Sequence, residues 1–251
     1  MSGSRSHCAS WWTRLGPPVP SGVNLLAVKP FVLLATRDHD KAARDEYESV
    51  RAHAGLAPNE LVHLRVEAGP LPRLYLEDYS GVLLGGSPFN ISDAVKSDLQ
   101  VRVESDIRNV VDHIVDADFP FLGMCYGIGT VTVHLGGAVD RTYAEGLGAI
   151  EVTLTDEAAN DPLLDGVPPM FKAFVGHKEA CNGAPPGVAV LGTGTACPVQ
   201  MYRHGNNVYV TQFHPELDVE SLEQRMRIYS NAGYFHPDDF DILIDMARNS
   251  G

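Results

Sequence analysis

Cysteine and basic side chains are the scarce components of this chain. Four cysteines (Cys8, Cys125, Cys181 and Cys197) in 251 residues are too few and too scattered for a disulfide scaffold. No pair has C-x-x-C spacing, and none of the ten histidines falls in an H-x-H or H-E-x-x-H pattern. Neither a structural zinc site nor any other metal or cofactor is therefore expected. Lys and Arg number 19 against 32 Asp and Glu, a formal net charge of −13. Nucleic acid demands a basic face, and an anionic membrane surface does too, so neither is an expected partner. No apolar stretch approaches the ~20 residues that span a bilayer. A reducing, cytoplasmic setting is expected.

Hydrophobic residues make up 44% of the chain, enough for one sizeable core. Residues 1–28 are rich in Ser, Gly and Pro, show no helical or alternating period and lack the apolar core of a signal peptide. They read as a disordered N-terminal extension, which leaves residues 29–251 as a single domain. From there, short apolar runs alternate with amphipathic stretches. PFVLLAT (30–36), ELVHLRV (60–66), Val82–Leu84 and Phe121–Met124 read as strands. Helices are expected over the segment ending near Gly55 and where Leu99, Val103, Ile107, Val110 and Ile114 recur at spacings of three and four. This alternation implies an α/β fold with an open, doubly wound, mostly parallel sheet and helices on both faces. Strand-like segments at 149–155, 187–192, 197–204 and 207–214 follow in quick succession, so the second half is expected to make the sheet mixed. Helices near 219–231 and 237–249 close the chain, the second started by Pro237 and two acids.

The stretch FLGMCYGIGTVTVHLGG (121–137) places Cys125 between a strand and a helix-like segment, with Gly123 and Gly127 two residues to either side. A nucleophile on such a turn needs small neighbours, and the turn aims backbone N–H groups and the positive end of a helix at the sulfur, which favours thiolate. A buried inert thiol is the competing reading. His214, at the end of a predicted strand in TQFHPELD, could move the proton, and Glu216 could fix its tautomer. H-P-E alone would equally suit a surface loop. Gly85 and Gly86, in LLGGSPFN, end another strand. An N–H there, with that of Tyr126, could hold an oxyanion, although glycine pairs also form ordinary βα turns. Nucleophile, base with orienter, and oxyanion loop all fall at strand ends of one sheet, where ligands of such folds bind. That coincidence favours a site.

In the order GGSP, GMCYG, HPE, these residues resemble the class I (triad) glutamine amidotransferases, with 214 − 125 = 89 residues between cysteine and histidine. The resemblance spans residues 30 to 217 and is nearest to single-domain proteins similar to the amidotransferase part of GMP synthase. It implies a flavodoxin-like sheet and attack by Cys125 on the side-chain amide of glutamine. His214 would shuttle protons, oriented by Glu216, while the N–H groups of Gly86 and Tyr126 would hold the oxyanion. A γ-glutamyl thioester would form, ammonia would leave, and water would release glutamate. Gly85 lies in the same loop, and VGHKEAC (175–181) falls where the family carries a histidine loop, making His177 and Glu179 candidates for the pocket rim. One departure is Gly129, where the family's elbow has a substrate-holding glutamine. The vacated room is expected to admit a larger γ-glutamyl compound. No synthetase domain follows, so an ammonia acceptor is expected to be a separate polypeptide, if there is one. A hydrolase of another γ-glutamyl amide, and a non-catalytic binding or regulatory protein on the same fold, are the alternatives.

Overall fold

The computed structural model describes residues 29–230 and 235–249. The N-terminal extension read from the sequence lies outside them. Strands β1 (Phe31–Ala35), β2 (Leu61–Arg65), β3 (Gly81–Leu84), β4 (Phe121–Met124) and β11 (Val208–Thr211) are mutually parallel in the order β2-β1-β3-β4-β11. That is the strand order of a doubly wound sheet. Four further strands extend it antiparallel beyond β11, in the order β10 (Met201–His204), β9 (Val188–Thr193), β6 (Glu145–Leu154) and β7 (Met170–His177). The sheet is thus mixed, as the crowded strands of the second half suggested. A two-residue pairing of β5 (Val139–Asp140) with β8 (Ala180–Cys181) stands apart from it.

The two faces are read directly from alternation. Val32, Leu34, Val82 and Leu84 point to one core, closed by Val103, Ile107, Val111 and Ile114 of α2 (Asp98–Asp116). Leu33, Leu83 and Leu122 point to the other, where Val50 of α1 (Asp40–His53) meets them. β1, β3 and β4 are almost wholly buried, so they appear as continuous apolar runs. The face of α2 begins one residue later than expected. Leu99 is 37% exposed, and Gln100 takes the buried position by donating to Asn90 O and Glu104 Oε1. Ser97 caps the helix by accepting the N–H of Gln100.

α4 (Val219–Ile228) starts with a capping box in which Asp218 and Ser221 satisfy each other's backbone N–H. It packs with α5 (Phe240–Arg248), entered through a short 3-10 turn at Pro237–Asp239, in a third apolar cluster that includes Leu217, Leu222 and Ile244. Among the described residues, no helix is long and apolar enough to cross a membrane. β7 is the one long strand that the sequence does not announce, and it sets one wall of the site.

Candidate active site

Cys125 sits between β4 and α3 (Tyr126–His134), at the carboxyl edge of the parallel strands, with φ +54° and ψ −85°. A non-glycine residue in that left-handed region is strained, and such strain persists only where the surroundings enforce it. Here the Cys125 N–H donates to Thr211 O at 2.7 Å, tying the turn to the end of β11. A β-carbon on Gly123 would stand 2.9 Å from the Phe121 ring and 3.0 Å from the Gly127 backbone, so Gly123 is what lets α3 return so closely over β4. One on Gly127 would meet Leu84 O at an ordinary 3.5 Å, which makes Gly127 the surface that Gly123 clears rather than a second relief point.

His214 follows β11 on a segment pinned by its own N–H to Phe174 O of β7, at 2.9 Å. Its Nδ1–H donates to Glu216 Oε1 at 2.8 Å, and both side chains are buried. Burial alone would pull the imidazole pKa down, but Glu216 and Cys125, which also hydrogen-bonds the ring, outweigh it and raise the value to about 9. The ring therefore carries its proton at neutral pH rather than titrating there. Burial opposes ionisation of Glu216 as well, yet His214 and Arg225 hold its carboxyl well below the usual range.

Behind this pair lies a chain of charge with no counterpart in the sequence motifs. Arg225, on α4, places Nη1 3.2 Å from Glu216 Oε1 and Nη2 3.9 Å from Glu46 Oε1. Glu46 of α1 is fully buried and accepts from Arg37 Nε at 2.8 Å. Arg37 in turn donates to Tyr229 Oη at 3.3 Å and lies over that ring. Carboxylates and guanidinium groups thus alternate from the end of β1 to the candidate base. The helix residue Glu46 looks like a solvated charge in sequence, and Arg37 and Arg225 like ordinary surface arginines. Only the fold brings them to one place.

Cys125, His214, Gly86 and Ser87 share the wall of one open cavity. Leu147, Val175, Leu217, Leu222 and Phe235 make the rest of it largely apolar, with Arg37 and Arg225 at the polar end. Gly86 is wedged beside the base. The other sequence candidates stand elsewhere. Gly85 packs against the Glu46 carboxylate, 2.7 Å from where its β-carbon would be, and does not line the cavity. The Tyr126 side chain turns away into a separate hollow with Glu104 and Thr130, leaving only its backbone to face the turn.

Two expectations are corrected. His177 and Glu179 do not form the rim: His177 is buried at the end of β7, its Nδ1–H donating to Glu179 O at 3.0 Å, and the Glu179 carboxylate accepts the N–H groups of Ile91 and Ser92 at 2.7 and 2.8 Å. Their polar groups are spent on holding the loop that follows Gly85-Gly86. That loop also fills the space expected beside Gly129. A β-carbon at 129 would stand 3.0 Å from Ile91 Cδ1 and 3.8 Å from Val139, so no room is vacated there.

Residues 50–231 match the family described as glutamine amidotransferase class-I. The chain is 30% identical over 175 residues to the glutamine-hydrolyzing GMP synthase subunit of Methanothermobacter thermautotrophicus, covering 69% of this chain and 82% of that one. It is 27% identical over 148 residues to the glutamine-hydrolyzing GMP synthase of Thermosipho africanus, where the match covers 59% of this chain and only 26% of the longer protein. In fold it resembles the crystal structure of a glutamine amidotransferase from Thermotoga maritima, at a TM-score of 0.69, 19% identity, and coverage of 88% of this chain and 91% of the other. The doubly wound sheet, the elbow at its carboxyl edge and the span of the family match agree, and this chain belongs to the class I glutamine amidotransferase family of enzymes.

Proposed function

We propose that the protein hydrolyses the side-chain amide of glutamine, or of a closely related γ-glutamyl compound, through Cys125, His214 and Glu216. The observation that carries this reading is the strained Cys125 turn set against a buried His214 whose far nitrogen is fixed by Glu216. The Cys125 thiolate attacks the amide carbon, and the developing oxyanion takes hydrogen bonds from the backbone N–H groups of Gly86 and Tyr126. His214, protonated in the resting site, gives its proton to the departing nitrogen, which leaves as ammonia. A γ-glutamyl thioester remains on the sulfur. Water then attacks it, His214 takes the water proton, and glutamate leaves as the thiolate is restored. Throughout, Glu216 holds the ring orientation and balances the imidazolium.

The relatives whose names make them one subunit of GMP synthase support a second element: ammonia passed to a separate synthetase subunit. The apolar wall of Leu147, Val175, Leu217, Leu222 and Phe235 favours one alternative substrate class, a γ-glutamyl amide whose amine is apolar. Glutamate release from glutamine, compared with release from γ-glutamyl alkylamines and γ-glutamyl anilides, separates the two. A higher kcat/KM for glutamine supports the amidotransferase reading and a higher value for the alkylamines supports the alternative. Failure of all of them, together with no labelling of Cys125 by diazo-oxo-norleucine, contradicts both.

A further inference from the structure

Glu145, His177 and Cys197 converge from two strand ends and a loop. Glu145 opens β6 opposite His177, which closes β7, and Cys197 lies in the loop before β10. The donor atoms of the three side chains all fall within 4.8 Å of one another. His177 Nε2 is 3.0 Å from Glu145 Oε2, with only 3% and 8% of the two side chains exposed, and Cys197 is fully buried.

The hydrogen bonding here is incomplete. His177 Nδ1 faces a carbonyl oxygen, that of Glu179, so its hydrogen is there. A neutral ring then turns the lone pair of Nε2 toward a carboxylate oxygen, a contact that needs a positive charge between the two atoms. Gln200, fully buried, donates Nε2–H to the same Glu145 Oε2 at 2.6 Å, but its Oε1 has no hydrogen-bond partner among the described residues. A buried amide oxygen left unpaired is costly. A shared proton would reconcile His177 with Glu145, and the Cys197 S–H donates to Val199 O at 3.6 Å, but Gln200 Oε1 would still be unexplained.

We propose that Glu145, His177, Cys197 and Gln200 form a closed, four-coordinate site for a zinc ion. One imidazole nitrogen, one thiolate and two oxygens suit that borderline-soft cation, and half a turn of the Gln200 amide brings Oε1 into the cluster. Zinc bonds of about 2.0 to 2.3 Å in a tetrahedron separate the donors by roughly 3.3 to 3.8 Å. The observed separations, from 3.0 Å to within 4.8 Å, bracket that range. The Nδ1–H bond of His177 to a backbone carbonyl is the outer contact that commonly fixes a zinc-bound imidazole.

The site binds β6, β7 and the 194–200 loop into one unit. Val175 and Gly176, which wall the active-site cavity, immediately precede His177, and Gln200 O accepts the N–H of Gln212, two residues before His214. Its role is to stiffen that wall, and it is independent of the substrate assignment. Sequence spacing is silent on it because the ligands are 177 − 145 = 32 and 197 − 177 = 20 residues apart.

The test uses the full chain with Cys125→Ala, which removes the other thiol that lies beside a histidine, stripped of metal and titrated with Co²⁺ as a spectroscopic substitute for Zn²⁺. One equivalent is expected to bind with a tetrahedral visible spectrum and a thiolate-to-cobalt charge-transfer band. Cys197→Ser should abolish that band and weaken binding at least tenfold, while Cys181→Ser and Cys8→Ser keep both. Zinc K-edge absorption on the Cys125→Ala chain, with all other ligands intact, checks the result without relying on the fold of a core variant and should show one sulfur among four ligands. No saturable equivalent, an all-nitrogen-and-oxygen shell, or a band that survives Cys197→Ser in folded protein overturns the proposal.

Discussion

A β-carbon on Gly86 would stand 2.9 Å from Cε1 of His214 and 2.8 Å from Nη2 of Arg37. The glycine is therefore set by the packing of the base, in addition to any part its N–H plays toward substrate. Gly86→Ala must displace both groups, although His214 is anchored at both its backbone and Nδ1. Misplacing a catalytic group by about 1 Å costs on the order of 10²-fold. That loss is expected in kcat for glutamate release, with thermal unfolding measured alongside to show that the fold is kept. Full turnover in a folded Gly86→Ala protein would contradict the assigned geometry.

Removing the proton carrier should cost more than removing its orienter. His214→Ala is expected to lose about 10⁴-fold or more in kcat/KM, and Glu216→Ala roughly 10² to 10⁴-fold. Glu216→Ala also strips Arg225 of its nearest carboxylate, so Arg225→Gln should produce a smaller loss in the same direction. Equal or reversed losses for His214 and Glu216 would refute their roles.

The shifted pKa values give stability a signed pH dependence. His214 is raised from 6.5 to about 9 on folding, so its contribution is complete below about pH 6.5 and is lost as pH climbs toward 9. Glu216 is lowered from 4.5, so its contribution is complete above that value and is lost as pH falls below it. Urea unfolding of the native protein should accordingly weaken from pH 6 to pH 9, and less steeply in Glu216→Gln. Parallel profiles would remove the coupling. The alkaline limb of turnover should lie near pH 9 rather than near 6.5, reporting loss of the proton that His214 gives to ammonia.

Because Ile91 occupies the space beside Gly129, restoring the family's glutamine there should fail on its own. Gly129→Gln is expected to raise KM or destabilise the fold through the contact with Ile91. Adding Ile91→Ala should relieve the clash and lower KM for glutamine relative to the single variant. A lower KM in Gly129→Gln alone would show that the space is open after all.

The parallel half of the fold is legible in the sequence because β1, β3 and β4 are buried on both faces and reduce to short apolar runs. The grouping of Cys125, His214 and Gly86 is legible because doubly wound sheets bring the carboxyl ends of their strands to one edge. β7 is not, since Met170, Lys172 and other half-exposed positions blur its alternation at the end of the sheet. For the same reason VGHKEAC reads as a loop, and His177 as a rim residue instead of an interior one. Arg37, Glu46 and Arg225 are invisible for a different cause. Arg37 lies in the loop after β1, Glu46 on α1 and Arg225 on α4, at spacings that mean nothing until α1 and α4 pack together behind the sheet.

The central claim is covalent chemistry at Cys125, and trapping the intermediate tests it most directly. The protein is mixed with glutamine, quenched in acid within the turnover time, digested and examined by mass spectrometry. A γ-glutamyl thioester is expected on the peptide containing Cys125 and absent from Cys125→Ala. Steady glutamate release by Cys125→Ala, or an adduct confined to Cys8, Cys181 or Cys197, would contradict the account.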